Sequence, residues 1–137
     1  YSTLVSQRVF TNPAPVLDLR VSRKAAAAFV RPDGNADVDP VILRGGDAIN
    51  DGLWHHVALT RSPDGELELF VDGERKAQGG ALVRGAITSR TCTLGAERYD
   101  ILRPFVYENS HFEGCIDEFC IFGHVLSPKE IAALAGR

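Results

Sequence analysis

A chain of 137 residues with 45% hydrophobic and 24% charged residues has the make-up of one globular domain, able to bury a core without staples and too short for two domains. A net charge of −3 and a pI near 5.8 exclude the basic face that a nucleic-acid binder needs. No run is long and apolar enough for membrane insertion as a helix, and Tyr1-Ser2-Thr3-Leu4 shows neither the charged start nor the apolar run of a secretory leader, which is uninformative for a processed or excised piece.

Thirteen glycines and seven prolines punctuate the chain as many short strands would require. Leu4-Val5-Ser6 opens as a strand, and Val16 to Val21 alternates apolar and polar residues with period 2. Arg23-Lys24 reads as a turn. Ala25 to Val30 has helical propensity in its alanines, but the run is short, uncapped and ends in Phe29-Val30 before Pro32-Asp33-Gly34, so a strand is predicted. Asp33, Asn35 and Asp37 then place oxygen side chains at alternate positions, as loops that hold calcium do. Val38 and Arg44 stand where an EF-hand has its glycine and glutamate, so a plain polar loop is the competing reading.

The middle of the chain predicts a three-strand meander. Trp54 to Arg61 and Glu66 to Val71 flank a Ser62-Pro63-Asp64-Gly65 turn, and Asp72-Gly73 returns the chain into Glu74 to Gln78. Glu66 and Glu68 alternate with Leu67 and Leu69 and so face solvent. His55 and His56 are neighbours on a strand and face opposite sides, which keeps them from sharing one metal ion; hydrogen-bonded structural histidines are expected. Arg90 to Gly95 is a further strand, 96–111 is long and irregular, and Phe112 to Phe122 is a strand whose change of apolar parity calls for a bulge near Asp117-Glu118. Ser127, Pro128 and Glu130 form a capping box ahead of Ile131 and Leu134, with Gly136 at the other end. Many strands and one short C-terminal helix predict an all-β antiparallel sandwich of two sheets. Its core is expected to hold Trp54, Val57, Leu59, Leu69, Val71, Leu94, Ile116, Phe119 and Ile121.

Asp51-Gly52-Leu53-Trp54-His55-His56-Val57-Ala58-Leu59-Thr60, followed by Leu69-Phe70-Val71-Asp72-Gly73, resembles the laminin-G-like (LamG) jelly-roll domains of the concanavalin A-like superfamily. Phe112 to Phe122 and Leu126 to Ile131 resemble that family's closing strand and terminal helix. The resemblance spans roughly residues 50–135. It implies a concanavalin A-like jelly roll serving as a non-catalytic carbohydrate-binding or adhesion module of a larger secreted, periplasmic or cell-surface protein, with a glycan or a neighbouring domain as partner. Calcium at a sandwich rim is frequent in the family, without assigning Asp33, Asn35 or Asp37. Such domains also begin with one or two strands ahead of the one matching Leu4-Val5-Ser6. Residues 1–137 are therefore expected to be one domain lacking its first strands, complemented by an upstream segment or another chain. The family's glycosidases need carboxylates aligned along one cleft-facing strand. Here no such spacing occurs, and Asp117-Glu118 are adjacent, so an enzyme is not expected. A structural interaction domain docking within an assembly and a glycosidase-like enzyme stand as alternatives.

The 97–111 stretch is the predicted binding loop, because long connections are often functional. Tyr99 and Tyr107 offer flat rings to sugar C–H faces, and Asp100 and Asn109 offer acceptors and donors to hydroxyls. The competing reading has Phe105 and one tyrosine merely holding the loop down. Three cysteines leave at least one thiol unpaired. On one unbroken strand Cys115 and Cys120 face opposite sides ~17 Å apart, out of bonding range. If the strands around Cys92 and Cys115 pair across the 96–111 loop, these two face each other, and in an oxidising compartment they bridge while Cys120 stays free. Three reduced, buried cysteines are the alternative. The LamG resemblance itself implies a different, downstream partner for the cysteine at the position of Cys115.

Overall fold

The structure of the chain, a computed structural model, describes residues 1–8, 16–31, 39–80, 83–88, 91–97 and 111–136. Its elements are β1 (Ser2–Arg8), β2 (Val16–Ser22), β3 (Ala25–Arg31), β4 (Val41–Gly45), β5 (Val57–Arg61), β6 (Leu67–Val71), β7 (Glu74–Gly79), β8 (Thr93–Leu94) and α1 (Pro128–Ala135). They form a five-stranded sheet in the order β4-β3-β2-β1-β8 and a three-stranded sheet in the order β5-β6-β7. Every ladder is antiparallel. The predicted sandwich with one short helix is what the chain builds.

The sheets meet through unequal side chains. Ala26, Ala28 and Val30 of β3 share one buried cluster with Leu67, Leu69 and Val71 of β6, completed by Leu43 and Val83. Small residues on one sheet leave room for leucines from the other, which is how close packing is reached without voids. The alanine run is a strand because both its flanks are taken, by β2 and by β4; its helical propensity is weak against two complete ladders. A Cβ on Gly45 would lie 2.5 Å from the Lys76 carbonyl oxygen, so the approach of β4 to β7 requires glycine there.

Three expectations fail. The first is Trp54 to Arg61, whose strand starts only at Val57 and lies at the sheet edge; Trp54 belongs to the preceding connection and is 70% exposed. Of Arg90 to Gly95, Arg90 lies outside the described residues and the rest holds only the two-residue β8, with Leu94 exposed. Phe112 to Phe122 carries no strand, and Ile116, Phe119 and Ile121 are exposed rather than core. At the expected bulge the backbone turns: Glu118 has a left-handed φ of 48°, and its N–H donates to the Asp117 carboxylate at 2.8 Å. That local bond takes a donor a ladder would need. Leu69 and Val71 are buried as predicted, and Val57 and Leu59 pack half-buried against the cluster. Glu68 pairs with Arg75, and Glu66 accepts from Gln78, on the solvent side.

The helix forms as its caps predict. Ser127 Oγ accepts from the Glu130 N–H at 3.3 Å, and the Ser127 N–H donates to Glu130 Oε2 at 2.7 Å. Ile131 is buried. The helix lies on the β6–β7 turn, where a Cβ on Gly73 would meet Ala132 Cα at 3.0 Å. That turn is clamped from the other side. Asp72 Oδ1 accepts from the His56 N–H at 2.9 Å, Asp72 Oδ2 bonds His55 Nδ1 at 2.9 Å, and Asp51 Oδ1 bonds His55 Nε2 at 3.0 Å. The bond to Asp72, then that to Asp51, hold the His55 pKa above its ordinary value. Burial pushes His56 down. The expectation of hydrogen-bonded histidines holds for the His55 ring, whereas His56 reaches Asp72 through its backbone N–H and its Nδ1 is buried with no hydrogen-bond partner among the described residues; no group of three metal-ligating side chains occurs among the described residues.

Two predictions follow from these turns. A group with a raised folded pKa contributes fully below its unfolded value, about 6.5 for histidine, and loses that contribution as pH rises through the folded value. Urea unfolding of wild type and His55→Gln should therefore differ most near pH 5.5–6 and converge at higher pH; a pH-independent difference would show that the clamp is not ionic. In the β2–β3 turn, Arg23 and Lys24 adopt φ of 50° and 75°, a two-residue connection that favours Asn-Gly. Replacing them by Asn and Gly should raise the unfolding free energy by about 1 kcal/mol, and a loss in urea denaturation would show that the native side chains outweigh the backbone cost.

Candidate binding site

Alternation along the five-stranded sheet turns a second set of side chains away from the β6 leucines. Ser6, Asp18 and Phe29 are cross-strand neighbours there, Thr3 sits opposite Arg20, and Thr93 opposite Ser6. Although polar, this face is enclosed at its centre: Thr3, Ser6, Asp18 and Glu97 are all buried. Ser6 Oγ donates to Asp18 Oδ1 at 2.8 Å, and Arg20 Nη2 to Asp18 Oδ2 at 2.8 Å. The Arg20 guanidinium lies 4.5 Å from the Tyr1 ring centroid and 4.8 Å from that of Phe29, each contact attractive to a cation. Tyr1 in turn donates its hydroxyl to Glu97 Oε2 at 2.9 Å. Thr3 Oγ1 and Arg20 Nε are buried without a hydrogen-bond partner among the described residues, a state that costs free energy until something satisfies it. Rings, fixed carboxylates and unspent donors on one face suit a polar ligand with apolar C–H faces and hydroxyls.

Sequence reasoning passed over this cluster. Asp18 and Arg20 read as the solvent half of an alternating strand. Their opposite charges two residues apart, on one face, were the available signal, but its meaning depends on Ser6 and Phe29 from neighbouring strands.

The expected binding loop springs from the same edge. The Gly95 N–H donates to the Leu4 carbonyl at 2.9 Å, the Phe112 N–H to the Gly95 carbonyl at 2.8 Å, and Thr93 Oγ1 to the Ala96 carbonyl at 2.8 Å. These bonds close the neck of the 96–111 connection beside β8, with Glu97 anchored on Tyr1. Tyr99, Asp100, Tyr107 and Asn109, the predicted ligand residues, lie outside the described residues, as do Asp33, Asn35 and Asp37. Below the neck an open cleft of about 360 Å³ is lined by Leu94, Phe112, Ile116, Asp117, Glu118 and Phe119 among others. Cys92, Cys115 and Cys120 are exposed free thiols, so none is the buried small hydrophobe considered above.

Comparison with known proteins places this geometry. Residues 5–132 match the laminin G 3 family model of the concanavalin A-like lectin/glucanases superfamily. The rat (Rattus norvegicus) sushi, von Willebrand factor type A, EGF and pentraxin domain-containing protein 1 is 31% identical over 90 residues, which is 64% of this chain and 2% of that protein. Neuronal pentraxin-2 of Cavia porcellus is 33% identical over 100 residues, again 64% of this chain and 21% of that protein. The crystal structure of an S-layer domain-containing protein from Clostridium thermocellum superposes with a TM-score of 0.53 at 26% identity, covering 95% of this chain and 63% of that one. The chain thus spans a small part of the two pentraxin-named relatives and under two thirds of the solved structure. Matched by that model over nearly its whole length and folded as two antiparallel sheets, the chain belongs to the laminin G 3 family of the concanavalin A-like lectin/glucanases superfamily.

Proposed function

We propose that this domain is a non-catalytic carbohydrate-binding or adhesion module of a larger protein at or outside the cell surface. The observation that carries the reading is the enclosed polar face of Ser6, Asp18 and Arg20, flanked by Tyr1 and Phe29 and placed beside the neck of the long loop. A sugar presents C–H faces and hydroxyls together, and a site that orders rings next to hydrogen-bonding groups in advance loses little entropy on binding it. Tyr99, Tyr107, Asp100 and Asn109 complete the proposed site from the loop. The S-layer domain in the name of one structural relative supports the extracellular setting. Glu66 and Glu68, already bonded to Gln78 and Arg75, favour binding over hydrolysis.

A second reading is a structural domain that docks on a neighbouring domain or chain. Exposed Leu53 and Trp54, together with Ile121, Phe122 and Val125, favour it. So does the outer edge of β5, where a complementing strand would add.

A glycan array followed by titration separates the two. The proposal expects a glycan ligand whose binding Tyr99→Ala with Tyr107→Ala weakens at least tenfold while the melting temperature holds. Titrating with calcium and then with chelator asks whether Asp33, Asn35 and Asp37 contribute. Lost folding in the double variant would make the two rings loop anchors, and an array without hits would favour docking.

A further inference from the structure

We propose that His55 is a proton-operated latch on the connection between β4 and β5. With both ring nitrogens protonated it fastens residues 50–54, which display Leu53 and Trp54, to the β6–β7 turn; with one proton gone it releases them. The latch is independent of the carbohydrate reading, and it acts on one local segment rather than on the stability of the whole domain.

Geometry sets the need for two protons. Nδ1 of His55 lies 2.9 Å from Asp72 Oδ2, and Nε2 lies 3.0 Å from Asp51 Oδ1. An ionised carboxylate only accepts and a neutral imidazole has one N–H, so only the imidazolium donates to both. Deprotonation leaves a nitrogen lone pair against a carboxylate oxygen, and one of the two contacts must part.

Which one parts follows from what else holds each carboxylate. Asp72 Oδ1 keeps the His56 N–H at 2.9 Å, and the Asp72 N–H donates to the His56 carbonyl at 2.8 Å. Asp72 therefore stays joined to the chain entering β5 without the His55 ring. Asp51 has no second hold among the described residues: its other bond, from the Leu53 N–H at 2.9 Å, is internal to its own turn. Upstream, the connection is anchored at Ile49, whose N–H donates to the Lys24 carbonyl at 2.8 Å and whose side chain packs on the core. Between these anchors Leu53 and Trp54 are 73% and 70% exposed, so burial adds little to holding the segment. The bond between His55 and Asp51 is its fastening.

The surrounding charges favour the shut state. Asp72 and Asp51 both act to keep His55 protonated, and His56, beside Asp72, is held toward its neutral form by burial. Further out stand Asp47, Glu74 and Lys76, and α1 meets the turn through Ala132 and Ala135 at Gly73. The His55 side chain is 17% exposed, so solvent protons reach it. Its folded pKa lies above the ordinary histidine value of about 6.5, so the latch is fully shut below that pH and opens as pH rises through the folded value.

Trp54 is the only tryptophan of the chain, so its time-resolved fluorescence anisotropy reads the motion of this segment alone. The intact chain is followed from about pH 5 to about pH 9, with the His55 ring titrated in parallel by NMR and the fold checked by circular dichroism. The expected result is a fast depolarising component, absent in acid, that appears with the His55 midpoint above about pH 6.5. Asp51→Asn keeps the acceptor for Leu53 and removes the charge, and should shift both midpoints down together. His55→Gln should make the anisotropy independent of pH. No fast component while His55 titrates, a midpoint different from that of His55, or an unchanged profile in His55→Gln overturns the inference. So does loss of the circular dichroism signal over the same range, because the release would then be global.

Discussion

How closely the two sheets can approach is decided where β3 meets β6. Ala26 and Ala28 bring short side chains to the interface, and Leu67 and Leu69 fill the depth they leave. Gly45 and Lys76 repeat the arrangement at the edge, where no Cβ fits. With interior packing near its limit, a methyl group added on β3 or removed from β6 shifts the spacing of the whole sandwich. Everything functional is hung on that spacing. The polar face of Ser6, Asp18 and Arg20 is the reverse side of the same strands, so the cross-strand register that buries Ala28 also sets Asp18 beside Ser6 and Phe29.

The division of labour between faces has a chemical consequence. The inner face is apolar and closed, and the outer face holds charged and hydroxyl groups fixed by one another. Arg20 is held by Asp18 and by two rings, which leaves it little rotamer freedom to lose when a ligand arrives. The neck of the long loop is built from the backbone of Leu4, Gly95 and Phe112, with the side chains of Thr93, Tyr1 and Glu97 bracing it. Loop residues can therefore vary without disturbing the sheet, as expected of a family in which a constant scaffold presents different loops.

Local patterns made most of the scaffold legible. Period-2 alternation in Val16 to Val21, the Asp72-Gly73 turn and the Ser127–Glu130 capping box each rest on short-range chemistry, and each appears where it was read. The alanine run was legible only by elimination, since its propensity argued for helix while its shortness, its missing cap and the turn after Phe29-Val30 argued for strand. What failed depends on long-range pairing. Trp54 read as core because its strand read as central, but β5 is an edge and begins only at Val57. Ile116 and Phe119 looked like core because a strand was assumed there, and the bond between Asp117 and Glu118 turns the chain instead. The Asp18–Arg20 site was hidden for the same reason: a charged pair on a strand reads as solvated until the neighbouring strands are known.

Native-state hydrogen exchange tests the central claim, that β3 and β6 together hold the sandwich. These two strands, each paired on both flanks, should open only with global unfolding, their amides giving the largest and closely matching exchange free energies. The edge strands β4, β5 and β7 should open at lower cost. If β3 amides exchange at the lower free energy of the edge strands while β6 remains protected, the alanine–leucine interlock is not what the rest of the fold depends on.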